Sequence, residues 1–223
     1  MFSNFLGCDV YIQRQPFPGP GLAIRCLCSA GSTEKPLKLK SNFGPRYAIV
    51  QLPLKSVGVQ GDERSYAHPA LVYATAGGSI SAKTIERLAP RITNTNRQLN
   101  RVLTPLYGDR KKIFSSTVKK AFVTKKRLTL LRKIDEAVNR HMATDPFYKN
   151  IWQMPIVLVP FGHNHGESIV LRPVESTEAM TVRFGKIHAG TIDAILGEKI
   201  IKDHIDFVFY DVTNKPPGTI EWE

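Results

Sequence analysis

The 223-residue sequence is poor in acidic residues, in cysteine and in long apolar runs. With 19 Asp and Glu against 31 Lys and Arg, the formal net charge is +12. Nucleic acid, membrane phosphates, a phosphorylated small molecule and an acidic partner domain all suit that charge, which alone does not choose among them. No apolar stretch reaches the length needed to cross a bilayer. The first residues, Met1 to Cys8, lack a basic region followed by an apolar core, so a secretory signal is not indicated and the cytoplasm is the expected location. There are three cysteines, Cys8, Cys26 and Cys28. Cys26 and Cys28 are too close in the chain for an unstrained disulfide or the usual zinc knuckle, and reduced thiols are expected.

What is present is an ordinary share of hydrophobic residues, 42%, in a chain long enough to bury a core without a stapling cofactor. Pro16 to Gly21 packs three prolines and two glycines into six positions, which reads as a shaped loop. Leu22 to Leu27 reads as a short strand, and Ser29 to Arg46 as an irregular connector. From Ala48 to Val59 the chain is rich in β-branched residues, and a Gly-Asp-Glu-Arg turn leads into Tyr66 to Ala74, predicting a hairpin. Ile85, Leu88 and Ile92 follow at helical spacing, and a strand through Arg101 to Leu103 closes the unit.

The order strand, strand, helix, strand then recurs. Gln153-Met154-Pro155-Ile156 echoes Gln51-Leu52-Pro53-Leu54 at an offset of 102, and Thr191-Ile192-Asp193 echoes Thr84-Ile85-Glu86 at an offset of 107. The second unit is expected to use a hairpin from Gln153 to Phe161 and Ser168 to Val174. A helix burying Ile192, Ile195, Leu196 and Ile200 and a strand from Phe207 to Val212 complete it. Between the units, Leu128, Leu131, Ile134, Val138 and Met142 mark one stripe of a helix from about Lys126 to Met142. These readings predict an α+β fold made of two tandem copies of a small antiparallel sheet with helices on one face. The expected divisions are 1–46, a loop and connector; 47–123, the first unit; and 124–223, the linking helix and second unit.

Three segments carry a family resemblance: Pro16 to Arg25 (PFPGPGLAIR), Ser56 to Tyr66 (SVGVQGDERSY) and Lys215 to Glu223 (KPPGTIEWE). In sequence, order and placement they resemble signature segments of GMP synthase, with Gln15 standing where the family usually has His. The duplication is similar to the long form of that enzyme. The resemblance implies a dimerisation and substrate-contacting region of a ligase that uses ATP and Mg to activate xanthosine monophosphate (XMP), which ammonia from glutamine then converts to GMP. No Ser-Gly-Gly-containing ATP loop and no glutaminase nucleophile elbow occurs in this sequence. ATP-pyrophosphatase and glutaminase domains or subunits are thus implied as partners, a homodimer is implied as the assembly, and no cofactor is assigned to this chain itself. Carried over motif by motif, the XMP contacts are Asp62, Arg64, Gln153, Lys215 and Glu221, with no catalytic residue among them. Arg64, Lys215 and Gln153 are donors suited to a phosphate dianion. Asp62 and Glu221 are acceptors for ribose hydroxyls, base nitrogens or neighbouring cations.

Two further features are weighed without a site being assigned. His163-Asn164-His165 reads as a solvated hairpin tip rather than a metal site. The segment from Arg110 to Lys133 holds ten Lys or Arg and no acidic residue. It reads as a solvated linker and helix face; phosphate-backbone binding is a minor alternative, because Phe114 and Phe122 are too few for a base-stacking platform, and neither nucleic acid nor a membrane is the expected partner. A basic α+β module for RNA is the rival of another class.

Overall fold

The computed structural model describes residues 21–40, 43–60, 63–176 and 181–223. The loop Pro16 to Pro20 and the predicted contact Asp62 lie outside the described residues. In chain order the strands are β1 (Ser29–Ser32), β2 (Leu37–Leu39), β3 (Tyr47–Gln51), β4 (Ser56–Gln60), β5 (Glu63–Ala74) and β6 (Leu99–Tyr107). They continue as β7 (Thr117–Ala121), β8 (Ile156–Val159), β9 (Phe161–Gly162), β10 (Ser168–Leu171), β11 (Val174–Glu175), β12 (Arg183–Phe184) and β13 (Val208–Asp211). The helices are α1 (Ala82–Thr95), α2 (Lys125–Met142), α3 (Ala189–Gly197) and α4 (Lys199–His204).

One large sheet runs β2-β3-β5-β6-β13-β10-β8, with β4 paired to β5 off this path. Its order makes the duplication visible. In the first unit β3 is antiparallel to β5, and β5 is parallel to β6 across α1. In the second, β8 is antiparallel to β10, and β10 is parallel to β13 across α3 and α4. The two closing strands, β6 and β13, lie antiparallel side by side, so the units meet at the centre of a single sheet. The α+β class holds. Within each unit the pairing across the helix is parallel rather than antiparallel, because a helical crossover returns the chain in its original direction.

The strands alternate between two cores. Ile49, Val72, Val102, Leu158, Ile169 and Val208 face a core shared with all four helices. Their neighbours Val50, Leu71, Leu103, Val157, Val170 and Phe209 face a second core on the opposite side. Side chains of successive strand residues point to opposite faces, and here both faces are covered. Helices cover one face, as expected. The other is covered by a three-stranded sheet, β1-β7-β9, and by the C-terminal segment, whose Trp222 is 1% exposed.

α1 starts at Ser81, whose side chain accepts the Thr84 N–H, and buries Ile85, Leu88 and Ile92. α2 starts at Thr124 and buries Leu131, Ile134, Val138 and Met142, four of the five stripe residues, with Leu128 only partly covered. The expected single helix of the second unit is two helices with a break at Glu198, whose backbone is extended. As a result Ile195 and Ile201 are the fully buried positions, while Ile192, Leu196 and Ile200 are partly buried. The run from Ala48 to Val59 is likewise two strands, because Pro53 has no N–H for the ladder and the chain turns there onto β4. Leu22 to Arg25 forms turns, with the Arg25 N–H on the Gly21 carbonyl and the Cys26 N–H on that of Ala23, in place of the expected strand. The connector instead contributes β1, paired to β7, and β2, paired to β3. Among the described residues no helix is long and apolar enough to cross a membrane.

Candidate functional site

Two of the three resemblance segments, the second and the third, can be placed from the backbones of their described residues. β4 carries the second of them, and the third lies against it. The Val57 N–H donates to the Trp222 carbonyl at 2.9 Å and the Val59 N–H to the Pro217 carbonyl at 2.7 Å, with Gly58 bridging to Gly218 between them. Glycine at position 58 is required by this approach, since a Cβ there would sit 2.6 Å from the Pro217 oxygen. The tail therefore folds back beside the first hairpin.

Behind it sits a buried ionic cluster. Asp211 of β13 accepts from Nη1 of Arg101 on β6 and Nη1 of Arg172, each at 2.9 Å, and all three side chains are 0% exposed. The Trp222 indole N–H donates to the same carboxylate at 3.0 Å. Arg101 also holds the tail to the hairpin. Its Nε donates to Ser56 Oγ at 3.1 Å, and its Nη2 to the carbonyls of Val57 at 2.8 Å and Glu221 at 2.5 Å. The guanidinium stacks over the Trp222 ring, 4.9 Å from its centroid. Burial and the neighbouring charge of Arg172 pull Arg101 down to about 9, still protonated at neutral pH. Burial alone would raise Asp211, but Arg172 and Arg101 outweigh it and hold the carboxyl below its usual range.

Between hairpin, tail and α1 opens a cleft of about 740 Å3. Arg64 and Ser65 line it from β5, Thr93, Asn94 and Arg97 from the end of α1, and Pro216 and Pro217 from the tail. Arg64 and Arg97 are exposed and face a concave space that Glu63 also lines, so that two cations stand against one carboxylate, an arrangement suited to an anion.

The residues predicted from sequence divide around this cleft. Arg64 lines it directly. Lys215 precedes the lining Pro216, and its backbone pairs with Val182 through an N–H to oxygen contact of 2.9 Å. Gln153 is 2% exposed and pairs through its backbone with Val174 of β11. Because β11 pairs with β12, Gln153 and Lys215 flank one short ribbon, and Lys215 connects that ribbon to the cleft. Glu221 is half-buried beside the cluster, where burial lowers Arg101 and Arg172 and the Glu221 charge offsets a part of that lowering. Arg97, Asn94 and the Arg101–Asp211–Arg172 cluster were not singled out from the sequence. The available signal was a lone arginine in each of two apolar strand runs, at Arg101 and Arg172, since such a charge is buried only when paired.

The Gln-x-Pro echo does not mark equivalent places. Gln51 ends β3, whereas Gln153 lies before β8 and bridges to β11. The Thr-Ile echo falls on the two crossover helices, α1 and α3. The tip at His163 to His165 is solvated, and it is also anchored: Asp206 accepts the N–H groups of His163, Asn164, His165 and Gly166 at 2.7–3.3 Å. Among the described residues no group of three or more His, Cys, Asp and Glu converges as a metal site.

Residues 140–222 match the model of the GMP synthase C terminal domain. A probable glutamine-hydrolyzing GMP synthase of Leptospira interrogans is 39% identical over 219 residues, covering 96% of this chain and 36% of that protein. A probable GMP synthase of Caenorhabditis elegans is 27% identical over 289 residues, covering 95% of this chain and 38% of that protein. The GMP synthase of Streptomyces avermitilis is 39% identical over 112 residues and matches only 45% of this chain and 21% of its own length. The chain thus spans little more than a third of the first two relatives, both of which match nearly all of it, whereas the Streptomyces protein matches 45% of it.

Proposed function

We propose, for a chain that carries the GMP synthase C-terminal domain, that it supplies the XMP-contacting and subunit-contacting region of an enzyme that aminates XMP to GMP. The reading is carried by one observation: the KPPGTIEWE tail docks along β4 and leaves a cation-flanked cleft between the two segments. Arg64 and Lys215 would neutralise the phosphate dianion, with Gln153 as amide donor. Asp62 and Glu221 would accept from the ribose, the base or the neighbouring cations. Among the described residues no group of three or more His, Cys, Asp and Glu could hold Mg. ATP, Mg and glutamine would be handled by ATP-pyrophosphatase and glutaminase domains or subunits, and this chain alone would not be catalytic. The assembly proposed is a homodimer in the cytoplasm.

Calorimetry with XMP, on this chain together with the ATP-handling domain, tests the reading. Lys215→Ala and Arg64→Ala are each expected to weaken binding about ten-fold, the usual scale for a charge-assisted hydrogen bond. If the assembled enzyme binds XMP equally well after both substitutions, the cleft is not the site. Mass measurement across protein concentration checks the dimer separately.

A further inference from the structure

A second groove, of about 980 Å3, shares no lining residue with the cleft; β7, the first three turns of α2 and residues of α4 line it. Six of the ten cations of the basic segment line it: Lys119, Lys120, Lys125, Lys126, Arg127 and Lys133. They fall into two sets. Arg127 is buried and forks onto Glu167, with Nε to Oε1 at 2.9 Å and Nη2 to Oε2 at 3.1 Å. Lys119 reaches the His165 carbonyl at 2.9 Å and Glu167 at 3.4 Å. This set builds the floor. Lys120, Lys125, Lys126 and Lys133 are exposed, and among the described residues no carboxylate comes within 4.0 Å of their amines. Glu167 is already engaged, leaving Asp203 of α4 as the other carboxylate on the lining. Beside these lysines Phe122 is 56% exposed, with the Lys120 amine 5.5 Å from its ring centroid.

The geometry points to a groove that binds single-stranded nucleic acid through its phosphates, with Phe122 as the stacking face for one base. The free cations are all lysine, compact charges on flexible stems that follow successive phosphates. The planar fork that would favour the carboxylates of an acidic peptide belongs to Arg127 and is occupied. An exposed aromatic among cations serves a base of any identity, so the recognition is of backbone and stacking rather than sequence. The groove lies apart from the cleft and depends on no part of its assignment.

The test is fluorescence anisotropy of a labelled oligouridylate of about twelve nucleotides, titrated with the purified chain at rising salt. The wild-type logarithmic salt slope is expected to be about −3, the value for four phosphates on a single strand. Replacing Lys120, Lys125, Lys126 and Lys133 together by Gln should weaken binding at least ten-fold and flatten the slope. Phe122→Ala should weaken it about five-fold and leave the slope unchanged. Lys111→Gln with Lys112→Gln, in the same basic segment but outside the groove, should change little. Unaltered binding by a folded four-lysine variant would overturn the proposal. An equal loss per charge at Lys111 and Lys112 would do so too, as would displacement of the oligonucleotide by polyglutamate or ATP at matched charge.

Discussion

In the first unit the crossover helix α1 runs unbroken from Ala82 to Thr95, and the hairpin β4–β5 projects beyond the main sheet. In the second unit the crossover is split at Glu198, and the connection between β9 and β10 is drawn shut by four backbone N–H groups on Asp206. The same topology thus ends in an open hairpin in one copy and a closed one in the other. The open copy is completed from outside itself, by the tail that follows β13 of the second unit. The candidate cleft therefore belongs to neither unit alone: one provides Arg64 and Arg97, the other Pro216 and Pro217. A duplicated fold can keep its strand order in both halves and still form a site that only the two together complete.

The sharpest way to break this comparison is at the seam. Asp211→Ala would leave Arg101 and Arg172 buried without their shared carboxylate, an expected loss of about 3–5 kcal/mol, read as a lower urea midpoint. If the midpoint is unchanged, the cluster does not join the units. Next in size, Asp206→Ala removes the acceptor for the closed loop of the second unit. The expected cost is about 1–3 kcal/mol, with faster amide exchange confined to residues 163–166. Exchange spreading to the first hairpin would show that the units are less separate than the geometry indicates.

The smallest effect concerns the split helix. Glu198 hydrogen-bonds His141 Nε2 at 2.6 Å and Arg140 at 2.8 Å, and these bonds hold its carboxyl below its usual range. A folded-state value below the unfolded one gives stability that is present above about pH 4.3 and lost as pH falls through the lower folded value. Glu198→Gln should remove that part of the acid dependence, worth below about 1 kcal/mol for so exposed a cluster. Comparing the melting temperatures of both proteins at neutral pH and near pH 3 reads it, and parallel curves would dismiss the contribution.

The α2 stripe and the Thr-Ile echo were legible because a one-sided apolar face leaves a periodic trace, and both fall on helices in the structure. β1 and β2 were not, because Ser29 to Ser32 and Leu37 to Leu39 are short and largely exposed, held by pairing partners far away in the chain. The approach of the tail to β4 could be read from motif resemblance but not from pattern. Its backbone hydrogen bonds join residues some 160 positions apart, and only the absence of a side chain at Gly58 hints at them. Arg97 escaped notice for a similar reason: it is an ordinary exposed arginine until the tail arrives opposite it.

The antiparallel pairing of β6 with β13 has a consequence for dilution. A contact between separate molecules weakens as they are thinned out, whereas these two strands are tethered by one chain and meet at an effective concentration set by the tether alone. The central pairing, and with it the wall of the cleft that the tail provides, is expected to persist at concentrations where any association between whole chains has been lost.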